Sequence, residues 1–141
     1  MFTAFPLLAV PALLYNLFAM TEIMGGKSAQ AGADLKGVLF PVNMPGSRVW
    51  DVSAGDLFML LGLIMLFFEL LRATNTNKVA IINHSLSMIL FIFCLVEFLL
   101  VPAFATSTFF LLAVMTLLDV LAGFIVTIVS SRRDFEVNGG N

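Results

Sequence analysis

Ionisable side chains stand inside, or at the ends of, long apolar runs: Glu22, Glu69, Arg72, His84, Glu97 and Asp119. In a segment apolar enough to cross a bilayer such a group is expensive, and by default it marks a functional site. Glu69 and His84 flank the polar turn 74–77, roughly six residues before its middle and eight after it. At 1.5 Å of rise per residue their depths differ by only about 3 Å. A carboxylate–imidazole contact is therefore expected, with Arg72 one helical turn below Glu69. Two kinds of chemistry fit: a proton-responsive couple, because histidine titrates near neutral pH, or a polar clasp between two helices.

Asp119 lies near the centre of the last apolar run, the worst depth for a charge. The same counting around residue 105 separates it from Glu97 by about 9 Å, and no Lys or Arg falls at either level. A lone carboxyl in a low-dielectric site is carried most cheaply as the neutral acid, which can donate a hydrogen bond to a facing helix. Thr116, Asp119, Gly123, Thr127 and Ser130 recur at three- and four-residue spacing and share one helix face. So do Asn83, Ser87, Cys94 and Glu97, and, further upstream, Ala9, Ala12, Asn16 and Ala19. Small and hydroxyl-bearing residues let helices approach closely where lipid supplies no hydrophobic driving force.

Catalytic and cofactor patterns are absent. No glycine-rich phosphate loop, Cys-x-x-Cys pair or metal-spaced histidine cluster occurs. Ser87, His84 and Glu97 share one helix and cannot adopt the geometry of a nucleophile and its base. Neither an enzyme nor a cofactor is expected. Cys94 is the only cysteine and has no intrachain partner.

The elements that must position these groups are four apolar stretches, approximately Phe2–Ile23, Leu57–Leu71, Val79–Ala103 and Phe109–Val129. Each is close to the ~20 residues needed to cross a bilayer core. The chain of 141 residues is 60% apolar and 11% charged, with a mean hydropathy of +1.05; a soluble domain carries about a quarter charged residues. The expected fold is an all-α membrane protein, one integral domain over 1–141: an antiparallel four-helix transmembrane bundle with helices at about 2–23, 56–72, 78–103 and 108–130. A net charge of −2 argues against nucleic acid as a partner. The first run is expected to stay as a helix rather than act as a signal peptide: no Lys or Arg precedes it, and the Ala29-Gln30-Ala31 match lies well beyond it.

Local signals mark the ends. Pro6 and Pro11 disturb the first turns of helix one. Ser53-Ala54-Gly55-Asp56 reads as a capping box for helix two, and Thr106-Ser107-Thr108 offers a hydroxyl cap for helix four. The last helix is expected to stop near Ser130, with a frayed tail through Asn141. In the outer loop, 25–54, Phe40 and Trp50 lie on either side of Pro45-Gly46. That dipeptide supplies the fixed and the positive φ of a type II turn, so a short β-hairpin or loop is expected there, with Pro41 confined to an edge.

Basic residues set the orientation. Arg72, Lys78, Arg132 and Arg133 lie close to helix ends on one side, against Lys27, Lys36 and Arg48 spread through the outer loop. Both termini are expected in the cytoplasm. The overall build resembles that of small four-helix inner-membrane proteins of bacteria, and the short loops and compact termini lead to the expectation of a bacterial inner membrane. The expected role is a structural or accessory subunit, surrounded by membrane lipids and assembling with copies of itself or a larger complex. Its recognition surfaces would be the outer loop (Phe40, Pro45, Gly46, Trp50) and the Asp119 face. Alternatives are an oligomeric proton or ion conductor relaying through Glu97, Asp119 and the Glu69–His84 couple, and a lipid- or quinone-binding module suggested by the 15 phenylalanines.

Overall fold

The computed structural model describes residues 5–73 and 78–138, with side chains throughout except at 73, 78–81, 127 and 130–138. Thr127, the basic residues Lys78, Arg132 and Arg133, the turn 74–77 and the tail 139–141 therefore lie outside the described side chains. Mostly helical, the chain runs α1 (Ala9–Met24), a 3-10 turn (Ser28–Gln30), α2 (Ala31–Asp34), β1 (Val38–Met44), β2 (Arg48–Ser53), α3 (Ala54–Ala73), α4 (Lys78–Leu100), a second 3-10 turn (Pro102–Phe104) and α5 (Ser107–Asn138).

Three helices are long and apolar enough to cross a membrane. Their apolar windows are Ala54–Arg72, Ile82–Leu100 and Ser107–Val126, of 19, 19 and 20 residues with mean hydropathies of 2.1, 1.9 and 2.5. At 1.5 Å per residue each matches a hydrocarbon core of about 30 Å. The fourth apolar helix, α1, has 16 residues, or about 24 Å.

Helix α1 begins at Ala9 rather than near residue 2. Pro11, its third residue, falls where a missing N–H leaves no hydrogen bond unmade, whereas a start near residue 2 would put both prolines inside the ladder. Its end is glycine-determined: Gly26 takes a φ of +69°, while Lys27 N–H donates to the Glu22 carbonyl at 2.8 Å and Gly26 N–H to Ile23 at 3.1 Å. The start of α3 carries the expected reciprocal cap. Asp56 N–H donates to Ser53 Oγ at 3.2 Å, and Ser53 N–H donates to Asp56 Oδ2 at 2.9 Å. Thr106 Oγ1 accepts the Phe109 N–H at 3.1 Å and caps α5. That helix runs on to Asn138, past Ser130, because no Gly or Pro falls between Gly123 and Gly139 and serine is only a weak helix breaker.

The hairpin is antiparallel, pairing Phe40 with Val52, Val42 with Trp50 and Met44 with Arg48, with an irregularity between Val38 and Phe40. Gly46 turns at φ +90° and Ser47 at +60°, so the reversal spends two left-handed residues after Pro45. Pro41 stands opposite Asp51, tolerable because both strands are edges.

Helix α5 is the packing centre. It lies against both α3 and α4, which touch each other little, and α1 packs on the α3–α5 side. In α5 44% of the apolar window is buried, against 22% in α3 and 17% in α4. Glycine permits the approach: a Cβ at Gly62 of α3 would sit 2.8 Å from Met115 Sδ and 3.2 Å from Leu112 Cδ1. At the end nearest the hairpin Tyr15 is fully buried among Phe58, Phe104 and Phe109, with ring centroids 5.4, 5.6 and 4.6 Å away, spacings at which aromatic pairs attract. Above this cluster α2 forms a small lid. Ala31 and Leu35 are buried, and the Leu35 carbonyl accepts the Gly55 N–H at 2.9 Å.

Candidate functional site

Polar groups inside this apolar frame fall at two levels. At the level of the C-terminal half of α3, Glu69 is fully buried and its carboxylate is used on three sides. Oε2 accepts the Leu7 N–H at 2.8 Å and lies 3.7 Å from Arg72 Nη1; Oε1 accepts from Asn83 Nδ2 of α4. Arg72 also donates to the Phe5 carbonyl at 3.3 Å. The turn 5–8 leads directly into α1, where unpaired N–H groups gather positive partial charge. Glu69 therefore holds the entry of α1 as well as α4.

The expected Glu69–His84 contact takes a different form. Asn83, one residue earlier, meets Glu69, while His84 points at α5: a Cβ on Gly123 would overlap its ring, lying 2.7 Å from Cγ. Gly123 is thus the notch that receives the imidazole. One turn along α5, Asp119 is 3% exposed and its Oδ2 has no hydrogen-bond partner. It feels the charges of Glu69 and Arg72, and the Ser87 side chain lies beside it. Ser87 Oγ donates to the Asn83 carbonyl at 3.2 Å, and Thr116 Oγ1 donates to the Ala113 carbonyl at 2.7 Å. The Asp119 face is turned to this chain's own helices, not outward.

Toward the hairpin end, Glu97 accepts from Asn16 Nδ2 of α1 at 3.1 Å, and Cys94 is fully buried one turn away. Tyr15 Oη shares a hydrogen bond with Thr106 Oγ1. At the end of α1, Glu22 neighbours Asp34 and Lys27. Among the described residues no three His, Cys, Asp or Glu side chains gather as a metal site.

Phe40 and Trp50 share one hairpin face, and Pro45 and Gly46 form its tip. Tyr15 and the Leu7 N–H are not among the residues that the sequence pattern marks. Tyr15 is the one tyrosine of the chain and falls four residues from Ala19 on the small-residue face, a signal that could have found it. A backbone N–H carries no such signal. No family model, no curated protein and no solved structure matches this chain.

Proposed function

We propose that this is a non-catalytic integral membrane protein that crosses the bilayer four times and serves as a structural or accessory subunit, assembling with copies of itself or with a larger membrane complex. The hairpin carries this reading. Phe40, Val42, Met44 and Trp50 lie on one face and are 47, 36, 49 and 50% exposed, whereas Val52 at the base of that face is 5% exposed. A two-stranded sheet is marginal in water, and this one has no third strand among the described residues. An apolar patch with a central tryptophan is the composition of a protein interface. The helix faces rich in Leu, Phe and Ile take membrane lipid.

A fourth crossing by α1 is supported by its neighbours. Phe5 and Leu7 bond to Arg72 and Glu69 near one end of α3, while Tyr15 packs on Phe58 near the other. Segment 5–24 thus runs alongside most of α3, and its shorter helix is extended by the turn that Glu69 anchors. Four crossings put both termini on one side, the cytoplasmic side by the Arg72, Lys78, Arg132 and Arg133 bias, in a bacterial inner membrane.

Native mass spectrometry from nanodiscs tests the reading. The wild-type chain is expected as an oligomer or with foreign subunits in fixed ratio, and a Val42→Ser/Trp50→Ser variant as a lone chain with unchanged helical circular dichroism. A lone wild-type chain, or assembly indifferent to those substitutions, overturns it.

A further inference from the structure

Pro41 fixes which edge of the hairpin is open. It has no N–H, so its pairing with Asp51 can only be of the kind whose ladder bonds are made by the flanking residues. The main-chain groups of Pro41 and Asp51 therefore point away from the ladder. Hydrogen-bonded and non-hydrogen-bonded pairs alternate, and the register is regular from Phe40 to Met44, so those of Asn43 and Val49 point outward as well. On β1 the outer edge is interrupted by the proline and by the irregularity between Val38 and Phe40, two devices that keep a strand from pairing further. On β2, Val49 and Asp51 each turn an N–H and a C=O outward. No third strand takes them among the described residues, and Val49 is 58% exposed.

We propose that this edge takes a second copy of the chain, β2 lying antiparallel to β2 across a two-fold axis with Val49 opposite Val49. The inference rests on the assembly reading above and names its partner. A two-fold normal to the sheet leaves every residue on its own face, so few registers are open. Setting Arg48 opposite Arg48, or Asp51 opposite Asp51, brings like charges together. Setting Val49 opposite Asp51 puts Arg48 against Val52, which is 5% exposed and already packed in its own chain. With Val49 opposite itself, Arg48 meets the ring of the partner's Trp50, a cation–π pair that the symmetry forms twice. The interrupted outer edge of β1 then ends the sheet at two strands from each copy, and the contact closes as a dimer instead of growing.

Disulfide trapping of the full chain in native membranes, in a Cys94→Ala background, provides the test. Facing Val49 residues have Cα atoms about 5.5 Å apart, within disulfide reach, so Val49→Cys gives a covalent dimer on oxidation. Asn43→Cys, on the interrupted edge, stays monomeric. A second measurement needs no substitution. In nanodiscs holding two wild-type chains the Val49 amide exchanges roughly tenfold more slowly than in discs holding one, the change expected for one hydrogen bond. The inference is overturned, and the assembly reading left standing, if native mass spectrometry shows an assembly while Val49→Cys stays monomeric and the Val49 amide exchanges alike in both discs. Crosslinking as strong through Asn43→Cys overturns it too. A lone wild-type chain overturns both.

Discussion

Gly123→Ala probes how α4 and α5 are joined. The added Cβ would overlap the His84 ring, with Cε1 at 2.5 Å and Cγ at 2.7 Å. Because Cγ is bonded to the histidine Cβ, rotating the ring cannot clear it; χ1 or the helix itself must move. Overpacking of this kind costs about 1–3 kcal/mol, while replacing a helical glycine by alanine returns up to about 1 kcal/mol. The net expectation is a destabilisation of about 0–2 kcal/mol. In a His84→Ala background the overlap is gone and the same substitution should stabilise, giving a coupling of about 1–3 kcal/mol in a double-mutant cycle. Gly62→Ala is the control: its closest contact is Met115 Sδ at 2.8 Å, and a flexible thioether can give way. Reversible unfolding in mixed micelles of increasing denaturing detergent, followed by helical circular dichroism, measures all four corners. Equal effects of Gly123→Ala in both backgrounds would refute the notch.

Glu69→Leu strips the acceptor from the Leu7 N–H and the Asn83 amide and should cost about 1–3 kcal/mol; Glu69→Gln keeps one carbonyl acceptor and should cost less. Hydrogen exchange at the Leu7 amide should accelerate in the leucine variant and change little in the glutamine one. Ser53→Ala removes the acceptor for the Asp56 N–H and should lower stability by about 0.5–2 kcal/mol, read in the same unfolding assay. Cys94 is fully buried between helices, so a maleimide should label it only after unfolding; rapid labelling of the folded chain would place that face of α4 elsewhere.

Much of this fold was legible because its signals are local or additive. Hydropathy summed over some twenty residues located α3, α4 and the apolar part of α5, and capping chemistry located Ser53 and Thr106. The Pro45-Gly46 pair marked the reversal at Gly46, though the second left-handed residue, Ser47, has no sequence preference that announces it. The ends of α1 and α5 were harder. Hydropathy continues through Pro6 although the helical ladder does not, and it fails past Ser130 although the backbone stays helical to Asn138. Hydropathy reports the solvent that a segment prefers, not where its hydrogen bonds begin and end.

The polar pairings were only half legible, for a geometric reason. Counting residues from a turn gives depth, and by depth His84 was as good a partner for Glu69 as Asn83, the two differing by about 1.5 Å. Direction is another matter, since successive residues point about 100° apart around the axis. That rotation gives Asn83 to α3 and His84 to α5. Which helix lies across each face depends also on how closely the axes approach, and between α4 and α5 the Gly123 notch admits the His84 ring. Small residues on and opposite α5 let it enter between α3 and α4, although those two are neighbours in sequence. Once α5 occupies that place, Asp119 must face the Glu69 level rather than Glu97, and Glu97 is left to Asn16. The pairing of polar groups across the middle of this protein thus follows from helix rotation and from the space at Gly123 as well as from depth.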